Sequence, residues 1–170
     1  VSIYGGAGPD ILRGNNMDNE MRGGNGADWL WGGVQGSDTL TGGFGSDVFW
    51  WGKGDGNDTI VSTQDGDAQD IIFFYNLNLG DYRGWYAGND LCLQTDSGNT
   101  LCWKEWKSAD VKTRLQSLVF ADKVAYAWNG GQGAEISLSD SFYTENAIHQ
   151  LISLDTGNCT LRGGSGLDTV

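Results

Sequence analysis

"GGNGADWLW", residues 23–31, sets three glycines and an aspartate ahead of a leucine held between two tryptophans. Much the same spelling returns every nine residues. Gly5–Arg13 reads GGAGPDILR, and Gly14–Arg22 reads GNNMDNEMR, a degraded copy. Gly32–Thr41 reads GGVQGSDTLT, with one residue inserted, and Gly42–Trp50 reads GGFGSDVFW. Two looser copies end in Asp58-Thr59-Ile60-Val61 and Asp70-Ile71-Ile72-Phe73. The template is G-G-x-G-x-D-x-U-x, with U large and apolar. Self-similarity at a fixed short period is the mark of a solenoid.

Each half of the template has a physical reading. The x-U-x triplet makes a short strand with U pointing inward and its neighbours outward. Leu12, Met21, Leu30, Leu40 and Phe49 then share one interior. The six residues G-G-x-G-x-D make a turn, where glycine adopts φ > 0 without a Cβ penalty. Two repeats complete one coil, so odd copies stack on one side and even copies on the other. Trp29, Trp31 and Trp50 all point outward on one sheet, with Trp31 and Trp50 as neighbours. The other sheet presents Glu20, Arg22, Thr39, Thr41 and Thr59. One outer face is therefore aromatic and the other polar. An apolar patch of this kind covers or binds something. The expected cover is the chain's own 74–126 segment, with a ligand such as a sugar ring as the alternative.

Stacking also brings the aspartates into register. Asp10, Asp28 and Asp47 line one edge. Asp38 and Asp58 line the other, with Asn19 where an aspartate is expected. Like charges about 4.8 Å apart repel unless something sits between them. A hard divalent cation taking 6–8 oxygens fits, drawing on carboxylates and turn carbonyls. No His/Cys cluster competes for a softer metal.

Composition agrees. Glycine makes up 28 of 170 residues, more than double the ~7% average, against a single proline. The net charge of −12 argues against nucleic acid and anionic membrane surfaces, and suits cations. No apolar run is long enough to span a membrane. Val1 opens on no initiating methionine or secretory leader, and both ends fall within repeats, so the chain reads as an excised piece of something larger. Three cysteines are too few for a disulfide scaffold and lack zinc-site spacing. Catalytic constellations are missing. The single histidine, His149, has no G-x-S-x-G context and reads as a polar helix residue. There is no HExxH, no phosphate loop and no EF-hand ligand pattern in GDGNDTIVSTQDGDAQD. The carboxylates keep the repeat period, which assigns them to turns rather than to acid/base work.

These residues resemble the RTX family of proteins secreted by Gram-negative bacteria. Residues 5–61 match its nonapeptide. GKGDGNDTIV, DAQDIIFF, GNDLCLQTDSGNTLCW, KEW and LQSLVFADKV are similar to the segment that closes such a block in haemolysin and adenylate-cyclase-type toxins. The resemblance implies a right-handed parallel β-roll that binds Ca2+ and folds outside the cell after type I secretion. The implied ligands are Asp10, Asp28, Asp38, Asp47 and Asp58, with Asp70 a further candidate. Asn19 departs from the pattern, and the insertion in Gly32–Thr41 is expected to bend its register, leaving sites weak or empty. At the C-terminus GNCTLRGGSGLDTV restarts the repeat, with Cys159 at the aspartate position and Asp168 lacking a following partner.

The expected fold is all-β: a β-roll over residues 1–73, then a mainly antiparallel closing segment over 74–126 with short helical pieces. A connector over 127–160 and the start of a further repeat over 161–170 follow. Helices are expected within Lys104–Leu118 and in SDSFYTENAIHQLI, and a strand at Leu118–Phe120. Leu91-Cys92-Leu93 and Leu101-Cys102-Trp103 form a hairpin around Asp96-Ser97-Gly98. A type I turn with left-handed Gly98 pairs Thr95 with Asn99, Leu93 with Leu101 and Leu91 with Trp103. That register sets Cys92 opposite Cys102, close enough for a disulfide, and leaves Cys159 unpaired.

The functional expectation is a non-enzymatic calcium-binding block serving a larger toxin or adhesin. Its partners would be calcium ions, neighbouring RTX blocks and the type I secretion machinery. The alternatives are a glycan- or protein-binding adhesin module and the non-catalytic part of a secreted hydrolase.

Overall fold

The computed structural model describes residues 1–61, 70–78, 81–105, 116–121, 124–128, 135–137, 149–153, 160–162 and 168–169. The repeat alternation becomes the topology. Strands β1 (Ser2–Ala7), β3 (Glu20–Asn25), β5 (Thr39–Phe44) and β7 (Asn57–Val61) stack in parallel in one sheet. Strands β2 (Ile11–Arg13), β4 (Trp29–Trp31), β6 (Val48–Trp51) and β8 (Ile71–Phe74) do the same in a second. The two sheets face each other across the U side chains. Met21, Leu30, Leu40, Phe49 and Ile60 are completely buried, while Ile3 and Leu12 on the first coil are only partly covered.

The core thickens where the repeats end. Trp51 occupies a position where the template has glycine. It and Phe74 extend β6 and β8 by one inward residue, with rings 6.0 Å apart. Leu77 is buried with them.

The inserted residue in Gly32–Thr41 leaves the strand register unbent, contrary to the expectation. Leu40 still pairs with Met21 and Gly43 with Gly24. The turn absorbs the extra residue. Gln35 takes φ 67°, Gly36 takes φ 92°, and Gln35 N–H donates to the Gly54 carbonyl at 2.9 Å.

Beyond residue 74 both sheets simply continue. Strands β9 (Tyr82–Ala87), β10 (Asp90–Thr95) and β11 (Thr100–Lys104) form an antiparallel meander, and β11 adds in parallel to β7. Strand β12 (Gln116–Val119) adds in parallel to β8 and turns back into β13 (Val124–Trp128). Strands β15 (His149–Ser153) and β17 (Asp168–Thr169) follow in parallel. Strands β14 (Glu135–Ser137) and β16 (Thr160–Arg162) make a separate parallel pair.

The hairpin has the expected register. Leu91 opposes Trp103 and Leu93 opposes Leu101, and Thr95 N–H donates to the Asn99 carbonyl at 2.9 Å. Gly98 takes φ 89°. All four large apolar side chains enter the core. Cys92 and Cys102 lie on the opposite face, with sulfur atoms 2.08 Å apart.

The two expected helices meet the described residues only at their ends, and there they are corrected. Among the described residues there is no helix. Lys104 ends β11, and Glu105 sits at φ 55°, which stops a right-handed helix from starting there. Asp90 holds that corner, accepting from Lys104 Nζ at 2.6 Å and Glu105 N–H at 2.9 Å. Residues 106–115 lie outside the described set, and Gln116–Val119 is strand. His149–Ile152, read as the end of a helix, belongs to β15, paired residue for residue with β13. An available sheet edge overrides local preference here. Residues 139–148 of that expected helix fall outside the described set.

The stacking distance depends on glycine. Gly24 takes φ 120°, and a Cβ there would meet the Gly6 carbonyl oxygen at 2.0 Å. Gly6 has a similar φ of 126° but open space around it. Gly6→Ala should therefore cost about 1 kcal/mol of backbone strain. Gly24→Ala should cost at least twice that, because it also wedges two coils apart. Urea midpoints at saturating calcium check the difference.

Candidate metal centre

The turns place the aspartates in two columns. From Asp28 onward each carboxylate reaches to the turn one coil earlier. Asp28 Oδ1 accepts from Asp10 N–H at 2.8 Å, Asp47 Oδ1 from Asp28 N–H at 2.9 Å, and Asp70 Oδ1 from Asp47 N–H at 3.0 Å. On the other edge Asp38 Oδ1 accepts from Asn19 N–H, and Asp58 Oδ1 from Asp38 N–H, both at 2.8 Å. All seven candidate positions thus join one or the other column, Asp70 included.

The second carboxylate oxygen has a different environment. Oδ2 of Asp10, Asp28 and Asp38 is buried without a hydrogen-bond donor. It is tucked beneath the first glycine of its own repeat. A Cβ on Gly23 would meet Asp28 Oδ2 at 2.2 Å and the Gly42 carbonyl oxygen at 2.6 Å. A carboxylate oxygen and a backbone carbonyl from the next coil therefore converge, with no N–H between them. Asp28, Asp38, Asp47 and Asp58 are at most 3% exposed. Burying a charge without a counter-charge is costly, and the carboxyls respond. Burial pushes Asp58 up to about 7, with the Asp38 and Asp55 carboxylates adding to the rise against the Asp38 hydrogen bond. Burial also raises Asp38, while both of its Asn19 hydrogen bonds pull the other way. Arg22–Glu20, Lys53–Asp81 and Lys104–Asp90 pair elsewhere on the surface.

Among the described residues no three His, Cys, Asp or Glu side chains converge on one point. A cation between turns would be held by carboxylates of successive coils, with turn carbonyls completing the shell. That donor set is all oxygen, and it suits a hard divalent ion such as Ca2+. The bound ion would supply the positive charge that the column lacks.

The aromatic face forms as expected, and among the described residues of the 74–126 segment its cover is limited to Tyr75. Trp31 pairs in register with Trp50. The ring contacts are Trp29 with Trp50 at 5.9 Å, Trp50 with Phe73 at 4.9 Å, and Trp31 with Tyr75 edge-on at 6.2 Å. The Arg13 guanidinium lies 4.4 Å above the Trp31 ring. Strands β9–β12 lengthen the sheets instead of folding over this face, because open sheet edges give their backbones partners. From the 74–126 segment, Tyr75 reaches the tryptophans. Trp29 remains 47% exposed, and Ile11, Arg13, Trp29, Trp31 and Trp50 line an open groove of about 240 Å³.

Asp55 was not legible beforehand. It lies off the template position, and no period marks it. It is buried and accepts from Tyr75 Oη at 2.6 Å and Trp31 Nε1 at 3.1 Å, locking both rings. Burial raises its pKa against these two donors.

The fold and the columns define a parallel β-solenoid with acidic, oxygen-lined turns. The family profile described as RTX calcium-binding nonapeptide repeat (4 copies) matches residues 4–35, 13–49 and 33–68. Residues 4–68 of the chain therefore match the RTX calcium-binding nonapeptide repeat. No curated protein matches the chain. Two solved structures show weaker likeness. A subunit of the mannuronan C5-epimerase from Azotobacter vinelandii is 21% identical, with TM-score 0.33, covering 69% of this chain and 81% of that one. The extracellular lipase from Serratia marcescens is 21% identical, with TM-score 0.30, and its match spans 95% of this chain but 27% of the lipase.

Asp28→Asn isolates charge from geometry. Its amide oxygen can still accept from Asp10 N–H, but the negative charge is gone. We expect the calcium concentration needed for folding to rise about twofold, because one site's loss of roughly 1.4 kcal/mol is made up jointly by the several sites that remain. In excess chelator the variant should be no less folded than the parent. Calcium titrations followed by far-UV circular dichroism check both.

Proposed function

We propose that the chain is a calcium-triggered folding block of a larger secreted protein, a toxin or an adhesin, and that it performs no catalysis itself. The observation that carries this reading is the buried Oδ2 atoms of Asp10, Asp28 and Asp38, which face no donor. Asp10, Asp28, Asp47 and Asp70 would hold ions along one edge, and Asp38 and Asp58 along the other. Each repeat orders nine residues, several of them glycine, around one large buried side chain, so packing alone is a weak drive. Ions that bind the folded state alone supply the missing stability by mass action. Affinities of about 0.1–1 mM would suit extracellular calcium and leave the chain unfolded in a cytosol. That is the state in which type I secretion would carry it, with neighbouring RTX blocks folding alongside it outside the cell.

The exposed tryptophan groove favours a second reading, a ligand-binding module that displays this face. A glycan array probed with the calcium-loaded chain tells the two apart.

Two measurements test the main proposal. Far-UV circular dichroism should show β-structure in about 10 mM calcium and its loss in excess EGTA; equal spectra would refute calcium-triggered folding. In an oxidising extracellular setting Cys92 and Cys102 should be bonded. Thiol titration of the denatured chain, folded beforehand in calcium, should then find only Cys159 free of the three cysteines.

A further inference from the structure

The two columns do not begin alike. At the head of the second, Asn19 points Nδ2 at three oxygens. These are Asp38 Oδ1 on the facing coil at 3.1 Å, Asn15 Oδ1 at 3.4 Å, and the Met17 carbonyl. Two come from the turn of Asn19 itself and one from across the step. A carboxylate from one coil with oxygens from the turn of the other is also what an ion bridging two coils would use. Asn19 is 4% exposed, so the amide serves these acceptors in place of water.

The next step along the same edge is built differently. Asp38 N–H donates to Asp58 Oδ1 at 2.8 Å, as Asn19 N–H does to Asp38, but Asp38 Oδ2 meets no donor. Asn19 Oδ1 is also buried without a donor, but of these two steps the first alone turns side-chain N–H groups toward the oxygens an ion would need. A carboxamide nitrogen carries two N–H donors and offers no lone pair to a cation. Turned the other way, the amide would press its own oxygen against three others, which is tolerable only with a cation among them.

We propose that the Asn19 carboxamide takes the place of a cation at the Asn19–Asp38 step, a neutral latch that binds no calcium, while the Asp38–Asp58 step takes an ion. This inference rests on the calcium-binding reading above. Metal dependence on this edge would then begin one coil later than the aspartate spacing implies, and the first turn would be held by hydrogen bonds alone.

Counting bound calcium tests it, by equilibrium dialysis of the whole chain at saturating calcium, with folding checked by circular dichroism. Asn19→Asp should bind one more ion per chain than the parent. Asn19→Ala should bind the parental number but melt at a lower temperature, since it loses the latch and no ligand. An Asn19→Ala chain with one ion fewer overturns the proposal, because Asn19 would then be a ligand. Equal counts for Asn19→Asp and the parent overturn it too. If Asn19→Asp does not fold, the Asn19→Ala count decides alone. A parent that binds no calcium removes the calcium reading and this inference together, and the zero count itself distinguishes that outcome.

Discussion

Carboxylates stacked at strand spacing, in a place water does not reach, are the constraint on which the rest of this molecule depends. From Asp28 onward each column aspartate spends one oxygen on a backbone N–H of the preceding coil, which sets the register of the turns. The other oxygen is left without a donor at Asp10, Asp28 and Asp38. The fold therefore contains, by construction, a repeated deficit of positive charge. Burial raising Asp58 to about 7 is the same deficit expressed as proton affinity.

Glycine makes that constraint sustainable. Adjacent turns approach so closely that a methyl on Gly24 would overlap the carbonyl of Gly6. The same closeness lets a carboxylate and a carbonyl from different coils share one small volume, as beneath Gly23. The repeat thus couples packing to ion chemistry, since the feature that forbids side chains is also the one that brings oxygens together. Where the periodic aspartates stop, asparagines make similar bonds without charge. Gly54 N–H donates to Asn99 Oδ1 at 2.9 Å, Lys53 N–H to Asn76 Oδ1 at 2.7 Å, and Thr100 N–H to Asn57 Oδ1 at 3.0 Å.

What could be read in advance follows from periodicity. Nine-residue spacing decides which side chains share a face, so the two sheets, the buried U positions and the aspartate columns were legible. The hairpin was legible too, because one left-handed glycine and four apolar residues admit a single register. Two kinds of feature were not. Asp55 and Trp51 carry no period, and their roles emerge only when Trp31, Tyr75 and Phe74 are placed beside them. Strands such as His149–Ser153 exist because a neighbouring edge was open, a circumstance no local pattern records. The insertion near Gln35 misled for the opposite reason: a turn has slack that a strand lacks.

The pairing of Trp29 with Trp50 has an optical consequence. The two indoles come from adjacent coils, 5.9 Å apart and tilted by 35°. Transition dipoles that close and not parallel couple, giving a two-signed band in the near and far ultraviolet. Secondary structure contributes no such couplet, and neither indole produces it alone. The chain therefore carries an intrinsic chromophore pair that reports whether two neighbouring coils have docked, separately from how much strand the molecule contains.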